Sequence, residues 1–209
     1  MNNIFNIKTS ENEGLEKIYE EAMNELNGFF NMNWVINKPK IIIVDDRKTI
    51  NALRNEETPR WVVGWSTGET VYILNKNSFS TESSHDDYSE DDYEMLIKHE
   101  LAHSFFKIMT GNKTQPKWLW EGVSILASGQ AEAWEKPLEL KSFLDEENIY
   151  KEAGYALLLI SNKYGKDKII QLLKRFKTYQ GEFPELFQEE FGAPLNYDFF
   201  NNLIQNQTH

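Results

Sequence analysis

Cysteine is absent from the 209-residue chain, and histidine is scarce. Without cysteine there can be no disulfide bond and no thiolate chemistry, so any metal site must be built from nitrogen and oxygen ligands. The four histidines are His85, His99, His103 and His209. A metal site that used imidazole would have to draw on this short set.

Long apolar runs and an excess of positive charge are also missing. No stretch approaches the ~20 apolar residues that a membrane-spanning helix needs. The first six residues lack the basic and apolar pattern of a signal peptide, so a cytoplasmic protein is the default expectation. With 22 basic and 33 acidic residues the net charge is −11, which argues against nucleic acid or an anionic membrane as the main partner.

What is present is a globular composition, with 40% hydrophobic and 13% aromatic residues, arranged in two kinds of periodicity. Apolar spacing predicts helix over 11–31 and, at best, over 47–55, with strands at 40–44, 61–65 and 70–74 and a polar loop at 75–88. From residue 89 the spacing predicts only helices, at 89–109, 118–129, 137–146, 149–164, 166–179 and 195–205.

This order predicts an α+β fold. An N-terminal subdomain, 1–110, would hold a long helix, a small mixed sheet and the helix around residue 100, and 111–209 would form an all-helical C-terminal subdomain. The two would share a cleft.

A pentapeptide of the first subdomain, His-Glu-Leu-Ala-His, begins at His99 and has the form H-E-x-x-H. On a helix, His99 and His103 lie one turn apart on the same face, so both imidazoles can bind one zinc ion. Glu100 leaves the helix about 100° round from His99, within reach of a water on the metal. Ser89 is a suitable N-cap for this helix, and Gly111 supplies its end.

Two histidines do not complete a catalytic zinc site, which usually has three protein ligands and one water. A three-histidine pattern fails, because Phe106 stands where it needs glycine and Met109 where it needs histidine. The other option is a carboxylate. The segment Pro-Lys-Trp-Leu-Trp-Glu-Gly-Val-Ser places Glu121 eighteen residues after His103, and Gly122 would leave space beside the metal.

His-Glu-Leu-Ala-His followed by Trp-Leu-x-Glu-Gly-x-Ser resembles the gluzincin zinc metallopeptidases, and its length resembles the compact peptidase-MA-like and minigluzincin members. The resemblance implies a zincin-like fold with one zinc ion held by His99, His103 and Glu121. It also implies Glu100 as the general base, and a peptide or unfolded protein as substrate. In these families an edge strand binds the substrate in extended form, and Thr70–Leu74 is the candidate here.

The resemblance further implies a tyrosine that stabilises the oxyanion. Tyr155 is the first candidate and Tyr150 the second. The Gly-Ala-Met-Glu-Asn segment with which larger aminopeptidases hold a substrate's free amine is absent, so exopeptidase activity has no support.

Several alternatives stay open. Iron, cobalt or manganese suits the same ligands as zinc. A second reading of the chain is a zinc-containing peptide-binding protein with little turnover. A third is a latent, regulated protease whose polar tail, Gln205–His209, fills the cleft. His85 is expected to be a solvated loop residue, and the sequence leaves cleavage preference and oligomeric state open.

Overall fold

The computed structural model describes residues 13–85 and 87–206, and in this part of the chain it has ten α-helices and one three-stranded sheet. The predicted mixed α+β class is confirmed. The first six residues and His209, on which two sequence predictions depended, lie outside the described residues.

The helices are α1 Glu13–Phe30, α2 Arg47–Arg54, α3 Phe79–Glu82, α4 Glu90–Thr110, α5 Lys117–Ser128, α6 Gln130–Ala133, α7 Ile149–Tyr164, α8 Lys166–Thr178, α9 Phe183–Phe191 and α10 Tyr197–Gln205. The strands are β1 Lys40–Val44, β2 Gly64–Thr67 and β3 Thr70–Leu74.

The sheet has the strand order β1-β3-β2, with β1 parallel and β2 antiparallel to β3. The prediction that Thr70–Leu74 is an edge strand is therefore wrong. Val71, Ile73 and Leu74 are fully buried, and a strand so apolar is most stable with a neighbour on each side. Among the described residues the two edge strands are β1 and β2, of which β2 is shorter and more polar and begins at Gly64 rather than at residue 61.

The longest helix, α4, carries the His-Glu-Leu-Ala-His segment through the core, and its ends are those predicted. The Ser89 side chain and the Asp92 side chain form a reciprocal capping box at its start. Gly111 ends it in the left-handed conformation at φ 67°, which glycine adopts without steric cost. Most of its middle residues are buried on every side, so the helix is held in a fixed position.

Helix α5 packs closely against α7, and two glycines make this possible. A Cβ atom on Gly122 would lie 2.8 Å from the backbone oxygen of Ala153, and one on Gly154 would lie 2.2 Å from Cγ2 of Ile125. Gly122 therefore serves the contact between two helices, and its predicted place beside a metal stays a prediction.

The helix predicted for residues 137–146 is wrong, because only a 3₁₀ turn, Phe143–Asp145, forms there. The buried Glu152 carboxylate accepts hydrogen bonds from the backbone N–H groups of Lys141, Ser142 and Phe143. These N–H groups thus find a distant side chain instead of helical carbonyls. The helices α3, α6 and α9 were not predicted, and α3 lies within residues 75–88, where the sequence predicted only a loop.

Buried side chains from both predicted subdomains belong to one continuous hydrophobic cluster. The central helix α4 contributes residues such as Leu101 and Phe105 to this cluster. Helices α5 and α8 pack against α4, and α7 packs against α5 and α8. No helix in the described part of the chain is both long enough and apolar enough to cross a membrane.

Candidate metal centre

Three buried side chains from two helices converge on one point. His99 and His103 come from α4, and Glu121 comes from the first half of α5. The Oε2 atom of Glu121 lies 3.4 Å from Nε2 of His99 and 3.6 Å from Nε2 of His103. Ligand atoms of His99, Glu100 and His103 also lie within 4.8 Å of one another, so the Glu100 carboxylate borders the same point.

The orientation of His99 is set by Gln130, which lies just beyond α5. Nδ1 of His99 is 2.9 Å from Oε1 of Gln130, and the Ser128 hydroxyl lies 3.1 Å from that same oxygen and 3.0 Å from the backbone oxygen of Ile125. Because an amide oxygen only accepts, the ring proton lies on Nδ1 of His99. The lone pair on Nε2 is thereby directed at Glu121, as metal ligation requires.

His103 is oriented in the same way by Ser124. The Ser124 hydroxyl donates its single proton to the backbone oxygen of Trp120 at 3.0 Å. It therefore faces Nδ1 of His103, at 2.9 Å, as an acceptor. The indole of Trp120 packs against the His103 ring with centroids 4.5 Å apart and limits its rotation. The segment 120–130 thus supplies both a candidate ligand and the supports of both histidines.

The electrostatics of the site favour a cation among these groups. Burial would raise the pKa of Glu121, but the His99 and His103 rings beside its carboxylate outweigh this effect, so this pKa is lowered. Burial would lower the pKa of His99, but the nearby carboxylates of Glu121 and Glu100 outweigh this effect, so that pKa is raised. For His103, burial and the neighbouring His99 lower the pKa to about 3, which leaves the ring neutral.

Glu121 shows most directly that a metal ion fits. Its Oε2 atom is buried and has no hydrogen-bond partner among the described residues, which is costly for a carboxylate oxygen. The Nε2 atoms of His99 and His103 face this oxygen. Two nitrogen donors and one carboxylate oxygen form a donor set that suits zinc. A cation bound there would satisfy all three atoms.

No family model, curated protein or solved structure matches this chain. The geometry alone supports the site. It shows a buried His/Glu/His cluster able to bind one metal ion, with a second glutamate that offers a third protein donor.

The carboxylate of Glu100 packs against the edge strand β2. A Cβ atom on Gly64 would lie 2.8 Å from Oε1 of Glu100, so only glycine leaves room for this carboxylate. Burial raises the pKa of Glu100 to about 7, with a further rise from Glu121 and a partly opposing effect of His99. A carboxyl group with such a pKa can accept and release a proton near neutral pH.

The two candidate tyrosines lie on different faces of α7, because five residues correspond to about 140° around a helix. The Tyr150 hydroxyl is 3.5 Å from Oε1 of Glu121, and its pKa is raised by burial and by the charges of Glu121 and Glu100. Tyr155 is half-buried against the hydrophobic core, and burial alone raises its pKa. The geometry thus favours Tyr150, the second candidate, and the role itself remains a prediction.

Some residues of the site were missed by the sequence analysis. Ser124 ends the Trp-Leu-x-Glu-Gly-x-Ser segment without a predicted role, and nothing local to Gln130 or Gly64 marks them as neighbours of the histidines or of Glu100. Gln130 reaches His99 only because Gly129 turns the chain in the left-handed conformation at φ 89°. His85, expected in a solvated loop, is in a loop and contacts the backbone oxygen of Trp61 through Nε2 at 3.2 Å.

Replacing Gln130 by leucine is expected to weaken zinc binding by ~10–100-fold, the usual cost of losing a partner that orients a ligand. The leucine removes the acceptor for Nδ1 of His99 but keeps most of the volume. Zinc affinity would be measured by competition with a chromophoric chelator. Gln130→Glu should restore it, and Gln171→Leu, on the exposed face of α8, should leave it unchanged. Equal affinity in Gln130→Leu and the parent would contradict an orienting role.

Proposed function

We propose that this protein is a zinc-dependent metallopeptidase of the gluzincin type. The observation that carries the proposal is the convergence of His99, His103 and Glu121 on one buried point, with the Oε2 atom of Glu121 left without a partner. The carboxylate of Glu100 lies beside this point, where a hydrolytic base is needed. The H-E-x-x-H spacing and the later Glu-Gly pair agree with the same class.

In the proposed reaction His99, His103 and Glu121 would hold the zinc ion. When bound, zinc lowers the pKa of a water and polarises the scissile carbonyl. Glu100 accepts the proton of the attacking water and later passes it to the leaving amine. The place of Glu100 beside the three ligands fits both steps, because the same group must take a proton and give it back at one point.

The substrate is proposed to be a peptide or an unfolded protein bound along β2. Among the described residues this strand pairs only with β3, so its outer edge offers free backbone N–H and C=O groups. An extended peptide can add to such an edge as a further strand. Gly64, the first residue of β2, contacts Glu100, which brings a peptide on this edge next to the proposed base.

Tyr150 is proposed to donate a hydrogen bond to the oxyanion that forms as the carbonyl is attacked. Tyr150→Phe is expected to lower kcat by ~10²–10³-fold with little change in KM, because this bond strengthens only in the transition state. Tyr155→Phe is the matched control on the same helix and should keep full activity. Steady-state kinetics on one peptide compare the three proteins. A large loss in Tyr155→Phe with none in Tyr150→Phe would reverse the assignment.

An assay on unfolded casein tests the proposed function as a whole. Peptide release should stop when a chelator removes the metal, and should return on addition of one equivalent of zinc. A peptide-binding protein without turnover would bind casein and release nothing in either state. Release that the chelator does not affect would show that the metal centre is not the source of the activity.

A further inference from the structure

Trp61 is unusual among the tryptophans of this chain because its side chain is exposed beside the proposed site. It is 54% exposed, the largest value of the six tryptophans, and only Trp134 comes near it at 37%. The Trp61 ring lies 6.1 Å from the ring of Tyr150, measured between centroids. The Tyr150 hydroxyl in turn lies 3.5 Å from Glu121. The exposed Trp61 indole is therefore separated from the candidate metal ligand Glu121 only by the side chain of Tyr150.

The exposure of Trp61 does not come from a loosely held backbone. The Arg47 guanidinium donates to the backbone oxygens of Pro59, Arg60 and Val62, at 3.3, 3.1 and 2.7 Å. His85 contacts the backbone oxygen of Trp61 itself. The main chain on both sides of the indole is thus fixed, and the ring is presented to solvent in one place. A rigidly presented aromatic ring loses little entropy when it binds a ligand.

The position of Trp61 relative to β2 relates it to the proposed substrate path. It precedes Gly64 by three residues, at the end of a turn that the Val62 N–H closes onto the Pro59 oxygen, so the two lie at most about 10 Å apart. Because Gly64 contacts Glu100, a peptide on the open edge of β2 would pass the Trp61–Tyr150 pair within about three residues of the bond that is cut. In an extended peptide successive side chains alternate in direction, so one of them can reach this pair.

We propose that the Trp61 indole, backed by the Tyr150 ring, forms the wall of a subsite for a large apolar side chain of the peptide substrate, aromatic or branched aliphatic. The inference rests on the proposed peptidase function and names its substrate class. Two aromatic faces bury apolar groups well and form offset or edge contacts with a further ring. The Arg47 guanidinium, which donates to the backbone of the segment that carries Trp61, disfavours a cationic side chain there.

The test uses internally quenched octapeptides of glycine and serine with one varied residue, which is Phe, Leu, Ala, Lys or Asp. Zinc-loaded wild type is compared with Trp61→Ala, Trp61→Phe and the control Trp134→Ala, and circular dichroism and zinc content verify that each is folded. We expect wild type to favour Phe and Leu, with cleavage near the varied residue. The ratio of kcat/KM for the Phe and Ala peptides should fall at least ~10-fold in Trp61→Ala, and stay near wild type in the other two variants.

The ratio separates a subsite from a structural support. If Trp61 only held Tyr150 in place, Trp61→Ala would slow all peptides equally and leave the ratio unchanged, which would overturn the inference. A wild-type preference for Lys would overturn it as well. If wild type cleaves no peptide, the proposed function fails. The subsite inference is then tested separately, by measuring how tightly the peptides bind. Zinc-loaded Glu100→Gln should then bind the Phe peptide more tightly than the Ala peptide, and Trp61→Ala in that background should abolish the difference. Equal affinities would refute the subsite.

Discussion

Glu100→Gln is expected to lose peptide hydrolysis by roughly 10²–10⁴-fold, the contribution of a positioned general base. Glutamine has the size and shape of glutamate, so it fits the space that Gly64 leaves above residue 100. It has no basic oxygen and cannot take the proton of the attacking water. His99, His103 and Glu121 are untouched, so bound zinc should remain near one equivalent per chain. The measurements are kcat/KM on an unfolded casein substrate and the metal content of the purified protein.

The matched control for this change is Glu94→Gln, an exposed position on the same helix. It removes the same charge from α4 without reaching the site and should keep wild-type kinetics. Full activity in Glu100→Gln with zinc still bound would exclude this residue as the base. A loss of zinc together with activity would instead make it a ligand.

Glu121→Ala is expected to weaken zinc binding by on the order of 10³-fold, because it removes one of three protein donors and the carboxylate charge that balances the metal. In the wild type, zinc at ~100 times its Kd should stabilise the fold by about 2.7 kcal/mol, which raises Tm by about 5–10 °C at this chain length. At the same zinc concentration the variant should show almost no rise. Thermal unfolding with and without zinc gives the comparison, and the zinc-free Tm of each protein is its own reference.

Glu132→Ala provides the control for this second change, since Glu132 is an exposed glutamate of α6. It should show the same zinc-dependent rise in Tm as wild type. A full rise in Glu121→Ala would mean that the metal is held without this carboxylate. The three-ligand site would then be incorrect.

The parts of the fold that depend on neighbours in the chain were predictable. The apolar spacing of α4, its N-cap at Ser89 and its end at Gly111 are local features, and the structure confirms them. The same holds for β1 and β3, whose β-branched runs lie at the predicted residues. His99 and His103 share a face because four residues make about one helical turn, whatever surrounds the helix.

Predictions failed where a distant partner competes with the local preference. Residues 137–146 have enough apolar residues for a helix, but the Glu152 carboxylate takes their N–H groups. The position of Thr70–Leu74 in the centre of the sheet depends on two other strands, which periodicity within one strand does not reveal. The preference between Tyr150 and Tyr155 depends on how α7 is rotated against α5. That rotation is set by the close approach of Gly122 to Ala153 and of Gly154 to Ile125.

The sequence alone therefore predicted a metal site, and the tertiary structure decided how its residues are arranged. The types and spacing of His99, Glu100, His103 and Glu121 indicated a zinc site, because ligand type and helical period are local properties. The supports from Gln130 and Ser124, the room beside Gly64 and the exposed face of Trp61 come from packing between segments far apart in the chain. Such contacts form only when the whole core assembles, since each element buries its apolar side against several others at once.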